Sequence, residues 1–215
     1  MLRYFLAILL AFCAIGCNDK NKDETTSRYY EDGRAKPIVA IPPMMDSTSY
    51  DIPWSLSEEF TSLVHNRLAR KGSMFLPSPE EMEVNLSPSQ NPFDANISWI
   101  KNTFKGNEFV VFLELIEHDN EQIGEPKKTG EAATNLNMAV RIRILDIRGE
   151  KPKIILQEKI VDSYYLSKNL FQEDYNRTVW GSADYNTTPL AMAHIQLAKE
   201  IIGRINDYIT LAKSR

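Results

Sequence analysis

Apolar residues recur along the chain in patterns that predict both strands and helices. A short apolar run occurs at 36–41, and an almost uninterrupted one at 108–116; both have the length of a strand. Residues 137–147 alternate, after their start, between apolar and polar side chains, which predicts a strand with two different faces. A turn-forming stretch at 148–151 follows, and the apolar segment 153–161 therefore predicts a returning antiparallel strand.

Helical spacing of apolar residues appears in two long segments. The first covers residues 55–70, where Ser55 and Glu58 form a capping-box pattern and Gly72 supplies a stop. The second begins at Thr188-Pro189 and continues for about five turns. Its apolar face consists of Leu190, His194, Leu197, Ala198, Ile201, Ile205 and Tyr208.

Shorter patterns complete the expected order of elements. Residues 74–76 predict a second short strand, whereas Ser78 and Asp94 each begin a short helical pattern. The charged segment 119–134 predicts a loop. We therefore expect residues 36–215 to form one α+β (α/β-like) domain, with a mixed sheet of about five strands, a helix after the first strand and a long C-terminal helix.

The first residues have the pattern of a secretory signal peptide. Arg3 precedes an apolar run of 12 residues, Tyr4 to Ile15, which is shorter than the roughly 20 residues that a transmembrane helix needs. The run ends in Ala14-Ile15-Gly16-Cys17, which resembles the lipobox of bacterial lipoproteins. The resemblance implies cleavage after residue 16 and acylation of Cys17; the alternatives are an ordinary signal peptide or a short N-terminal anchor helix.

The segment after the cysteine predicts a tether. Residues 17–35 are polar and charged, with few apolar side chains to bury. Asp19 lies one position later than the aspartate of the usual inner-membrane retention signal, which favours the outer membrane. The expected location is the bacterial envelope, on the periplasmic face of the outer membrane, where acyl chains on Cys17 hold the protein.

Composition and charge narrow the candidate functions. The sequence carries a net charge of −4 and contains no basic run, which argues against a nucleic-acid partner. Of its two cysteines, Cys13 would leave with the signal peptide and Cys17 would be acylated. A disulfide, a catalytic thiolate and a cysteine metal site are therefore not expected in the mature protein.

Histidines are the remaining candidates for catalysis or metal binding. His65 and His194 lie in amphipathic helical patterns and are interpreted as packing or surface residues. His118 lies among carboxylates at a predicted strand end; a metal-dependent envelope hydrolase is the alternative there, and a solvated strand end the default. Because no nucleophile elbow, phosphate loop or zinc-helix motif is present, we expect no enzymatic activity, metal or cofactor.

Aromatic residues provide the strongest candidate for protein recognition. Aromatic side chains with polar tips are favoured at protein interfaces. They are concentrated in residues 163–186 and in the loop at 42–54. The candidate partner-binding residues are Tyr164, Tyr165, Phe171, Tyr175, Trp180 and Trp54. The alternative is that these side chains cover a sheet face or the core.

The domain resembles the small module shared by CsgG, LpoB and the N-terminal domain of TolB. The matching segments are the strand at 38–43, the helix at 55–70, the strand at 72–76, the strand end at 145–149 and the helix opening at 188–193. The chain also looks similar to uncharacterised lipoproteins of chlamydia-like bacteria. The resemblance implies envelope assembly through protein contacts, with another envelope protein as partner; the alternative is a subunit of an oligomeric secretion or trans-envelope complex.

Overall fold

A meander of three long antiparallel strands forms the centre of the molecule. The computed structural model describes residues 27–49, 52–78, 90–123, 133–166 and 178–215. The meander consists of β3 (Phe109–Ile123), β4 (Ala133–Asp146) and β5 (Lys153–Leu166). Phe109 lies opposite Asp146 in the β3–β4 pairing, and Leu136 lies opposite Tyr164 in the β4–β5 pairing.

Two short parallel strands complete the sheet on the other side of β3. These are β1 (Val39–Ala40) and β2 (Met45–Asp46), which pair with successive parts of β3. Pro42 and Pro43 separate them, and proline cannot donate a ladder hydrogen bond. The result is a mixed five-stranded sheet in an α+β fold, which confirms the predicted fold class.

The described residues form three α-helices beside the sheet: α1 (Leu56–Lys71), α2 (Ile100–Thr103) and α3 (Pro189–Lys213). The side chain of Ser55 accepts a hydrogen bond from the Glu58 N–H at 3.2 Å, as the capping pattern predicts. Gly72 ends α1 with φ 65°, in the left-handed region that suits glycine. At the start of α3, Thr188 Oγ1 accepts from the Ala191 N–H at 3.1 Å, and a 3₁₀ turn at Tyr185–Thr187 precedes it.

The two faces of the sheet are covered differently. α1 and α3 pack on one face and bury the main core, which contains Phe60, Leu68 and Leu197. On the opposite face, a smaller cluster around Phe104 and Phe112 is covered by residues 90–104. Buried Arg143 fixes this cover: its guanidinium donates to the carbonyl oxygens of Pro92, Phe93 and Asp94 at 2.7–2.9 Å.

Several local predictions differ from the structure. Residues 119–123 continue β3 instead of forming a loop, because pairing with β4 satisfies their backbone groups. Instead of a strand at 74–76, Phe75 forms a single bridge with Ile38. Helix α2, predicted from Asp94 onward, occupies only 100–103. The helix predicted after Ser78 lies outside the described residues.

The interpretation of 17–35 as an unstructured tether is wrong for its last part. Tyr29 bridges to Ala35, and the Tyr30 hydroxyl donates to the Ser73 carbonyl oxygen at 2.6 Å. The Arg28 guanidinium lies 4.8 Å from the centre of the Phe75 ring. Aromatic and cation–π contacts thus hold a stretch whose polar composition predicts no fixed structure. Within the described ranges, no helix has the length and apolar content needed to cross a bilayer.

Candidate functional site

A buried network of polar side chains joins α1, α3 and β3. Glu59 of α1 accepts hydrogen bonds from three donors: His194 Nδ1 at 2.7 Å, the Tyr185 hydroxyl at 2.5 Å and Trp54 Nε1 at 2.8 Å. The Nε2 atoms of His194 and His118 lie 2.8 Å apart and share a hydrogen bond. The network therefore connects three segments that are far apart in the sequence: residues 54–59, His118 and residues 185–194.

A β-bulge brings His118 into this network. The pairing register shifts between Leu115 and Glu117, so that Ile116 is an extra residue in β3. Without the extra residue, strict alternation would direct Glu117 toward the helices. Because the extra residue is present, His118 lies on the helix-covered face of the sheet and Glu117 lies on the opposite face. The default interpretation of His118 as a solvated strand end is therefore wrong, since its side chain is fully buried.

The network contains an ionised carboxylate, that of Glu59, and a neutral imidazole, that of His118. Burial alone would raise the pKa of Glu59, but the hydrogen bonds from His194, Tyr185 and Trp54 outweigh it and leave this pKa below its usual value. Burial and the neighbouring His194 lower the pKa of His118 to about 3. Because ionised Glu59 is only an acceptor, His194 Nδ1 must donate to it.

This arrangement joins separate elements of the fold, and its central residues are buried. Glu59, His118 and His194 each have 0% exposed surface. The Tyr185 ring is buried as well and contacts Trp54 edge-on, with ring centroids 5.4 Å apart. Every donor aimed at Glu59 has a fixed position on a different segment, so the carboxylate joins α1 to α3 and to the turn before α3. Among the described residues, no group of three His, Cys, Asp or Glu side chains is arranged to hold a metal ion.

The predicted recognition aromatics are distributed over different parts of the molecule. Trp54 belongs to the buried network, and Tyr164 packs against the main core and donates to Asp162. Tyr165, its neighbour on β5, points the other way and is 68% exposed. Trp180 is half-buried. Cys17, Phe171 and Tyr175 lie outside the described residues.

The outer part of the sheet presents a surface that no described element covers. We call it the open sheet face; its members are Glu117, Glu121, Asn137, Lys159, Val161, Ser163 and Tyr165. Ser163 donates to Asn137 Oδ1 at 2.7 Å, and Asn137 donates to Glu121 Oε2 at 3.3 Å. Beside this polar row, Val161 is 62% exposed. Sequence patterns mark Tyr165 as a candidate but not Val161, whose exposure depends on β5 having one uncovered face.

Comparison with solved structures identifies proteins with the same fold. The hypothetical protein CT253 from Chlamydia trachomatis is 26% identical and superposes with a TM-score of 0.65, over 81% of this chain and 98% of that one. Protein XCC0632 from Xanthomonas campestris is 7% identical, with a TM-score of 0.50 over 85% of this chain and 90% of that one. The likeness to a chlamydial protein agrees with the sequence resemblance, whereas the resemblance to CsgG stays a prediction.

No curated protein matches the sequence. A family model described as a family of unknown function, DUF7499, matches residues 25–213. The matched region begins just before the described N-terminal turn and ends at the last residue of α3. The chain therefore belongs to the DUF7499 family.

Proposed function

We propose that this protein is a lipoprotein of the bacterial envelope, anchored by acyl chains on Cys17, that binds another envelope protein without catalysing a reaction. The sequence Ala14-Ile15-Gly16-Cys17 after a 12-residue apolar run supports the anchor. Cys17 and Ser27, the first described residue, are 10 residues apart, which corresponds to a reach of at most about 35 Å. The globular domain would thus stay close to the membrane that holds its lipid.

The open sheet face is the surface that best fits a protein partner. Val161 and Tyr165 present apolar area on a rigid strand, and they flank the polar row formed by Ser163, Asn137 and Glu121. A tyrosine with few torsions adds contact area at a small entropic cost, which makes it a frequent anchor at interfaces. This exposure of Val161 and Tyr165 is the observation that supports binding. The buried network behind the sheet contributes rigidity to that surface.

Removal of the acylation site is expected to release the protein from membranes. In Cys17→Ala the sulfur that would carry lipid is missing, so the protein should be found in the soluble fraction after cell breakage in about 0.5 M salt, which screens electrostatic attraction to the membrane surface. A matched Cys13→Ala variant should stay in the membrane fraction, because Cys13 lies in the segment that is removed. Fractionation with mass measurement of the mature chain tests both. An unmodified Cys17, or equal membrane association of both variants, would refute the anchor.

A photocrosslinking amino acid at position 165 is expected to capture a specific partner in intact cells. The adduct should have one discrete mass and should disappear when Val161→Asp places a charge in the same surface. The control position is Gln196, which is exposed on α3, away from the open sheet face. Equal crosslinking from positions 165 and 196, or an adduct that persists in Val161→Asp, would contradict binding through this face.

A further inference from the structure

The end of the molecule where the described chain begins is rich in exposed basic side chains. The N-terminal turn contributes Arg28 and Arg34, and the last turn of α1, on which it packs, contributes Arg70 and Lys71. All four are exposed. Tyr29 lies among them and is 59% exposed. An amphipathic ring beside cations is a combination found where proteins meet the headgroup region of a bilayer.

The fold brings further basic segments to this same end. Val39 pairs with Phe109, and Phe109 pairs with Asp146, so residues 101–108 and the turn at 147–152 lie at the end that holds the N-terminal turn. The last turn of α3 also lies there: Lys213 Nζ is 2.6 Å from Glu108 Oε1, and Arg148 donates to the Ala212 carbonyl oxygen at 2.9 Å. We call these segments together the tether end.

Positive charge is strongly concentrated at the tether end. Beside the residues already named, it carries Lys36, Lys101, Lys105, Lys151 and Lys153. The tether end contains eleven basic and five acidic side chains, which gives it a formal charge of +6, although the whole chain carries −4. The rest of the chain therefore carries −10. Three of the five acidic residues, Asp32, Glu108 and Asp146, form ion pairs with Arg34, Lys213 and Arg148 respectively.

Helix dipoles explain only part of this concentration. Both α1 and α3 end at the tether end, and cations are favoured within the last turn of a helix. That effect applies to Arg70, Lys71 and Lys213, which lie in those last turns. It does not account for Arg28, Lys105 or the lysines of the 147–153 segment, which lie on turns and at a strand start.

We infer that the tether end docks on anionic phospholipid headgroups. The inference rests on the proposed acylation of Cys17, since a lipid at that position brings the N-terminal turn, 10 residues further along, to the membrane. The strands then run away from the bilayer. Tyr165 is 12 residues beyond Lys153 on β5, which places the open sheet face up to about 40 Å from the headgroups, where a partner can reach it.

Vesicle binding by the non-acylated chain tests this inference directly. The chain from residue 17 to 215, with Cys17→Ser, is mixed with vesicles of equal parts phosphatidylcholine and phosphatidylglycerol, or of phosphatidylcholine alone. It should sediment with the anionic vesicles at about 0.02 M salt and be released at about 0.5 M salt, where charges are screened within a few ångströms. No binding to anionic vesicles, or equal binding to neutral ones, would overturn the inference.

Charge reversal identifies the surface that binds. Each basic residue near an anionic surface strengthens binding about fivefold, so Arg70→Glu/Lys71→Glu should weaken vesicle binding about 30-fold or more. Lys105→Glu/Lys151→Glu should act similarly from the other side of the tether end. The control Lys159→Glu/Lys199→Glu changes net charge equally, but on exposed residues midway along β5 and α3, and should retain binding within about threefold. An equal loss in the control would refute the assigned surface.

Failure of membrane docking and failure of the proposed acylation give different experimental results. Because the tested chain carries no lipid, failure to bind vesicles rejects docking, whatever group Cys17 carries in cells. An unmodified Cys17 in the cellular protein rejects the anchor, although the vesicle experiment can still succeed.

Discussion

Glu59→Leu is expected to lower the free energy of unfolding by about 3–5 kcal/mol. Leucine is close to glutamate in size, so the cavity is small and the loss comes from polar groups. His194 Nδ1, the Tyr185 hydroxyl and Trp54 Nε1 would each lose the oxygen to which they donate, and His194 and Tyr185 are buried. Urea unfolding followed by circular dichroism measures the change.

The neighbouring Glu58→Leu variant is the matched control. Glu58 lies in the same helical turn but is exposed, so its replacement should cost only the contribution of a first-turn acidic residue, about 1 kcal/mol or less. Glu59→Gln keeps one acceptor oxygen but places an amide near the three donors. Its loss in free energy of unfolding should lie between those of Glu58→Leu and Glu59→Leu, at about 1–2 kcal/mol. If Glu59→Leu were as stable as Glu58→Leu, the hydrogen-bond network would not contribute to stability.

Acidification from pH 7.0 to 5.5 is expected to lower the free energy of unfolding by about 1.3 kcal/mol through His118 alone. The pKa of His118 is about 3 in the folded protein and about 6.5 in an unfolded chain. Between these values the unfolded chain binds the proton more strongly, so stability is complete above pH 6.5 and falls as the pH decreases. Below pH 6 the slope approaches about 1.4 kcal/mol per pH unit, and the total reaches about 4–5 kcal/mol near pH 3.

His118→Gln isolates this contribution. A glutamine amide can replace the Nε2 hydrogen bond to His194 but does not titrate in this range. The variant should therefore lose less stability than the wild type between pH 7.0 and 5.5, by about 1.3 kcal/mol, in urea unfolding at each pH. Identical pH profiles for the two proteins would show that His118 is protonated equally easily in the folded and unfolded states.

The local elements were predictable from sequence because they depend on nearby residues. The apolar face predicted for α3 is buried in the structure from Leu190 to Ile205, including His194. The strand at 108–116 appears in the core of β3, where Phe109, Val111 and Leu113 contact the helices. In both cases the element is determined by apolar periodicity and capping residues within a few turns of the chain, and these can be identified in the sequence.

The buried network was not predictable in the same way. Glu59 and His194 are 135 positions apart, and His118 and His194 are 76 apart, so no spacing pattern connects them. A partial signal exists: Glu59 lies three residues after Leu56 and one before Phe60, on the apolar face of α1. A carboxylate at such a position must find donors in the core. Its donors, however, come from the tertiary fold.

The extra residue in β3 has a consequence for changes in chain length. Ile116 changes which residues of β3 face the helices. Before it, odd-numbered residues such as Leu113 and Leu115 do so; after it, His118 does. Deletion of this one residue would invert the alternation of the β3 residues that follow it, returning Glu117 to the interior and turning His118 outward. A substitution at position 116 leaves the number of residues in β3 unchanged, so the residues after it keep their faces. The protein should thus tolerate variation in which residue occupies this position far better than loss of the position itself.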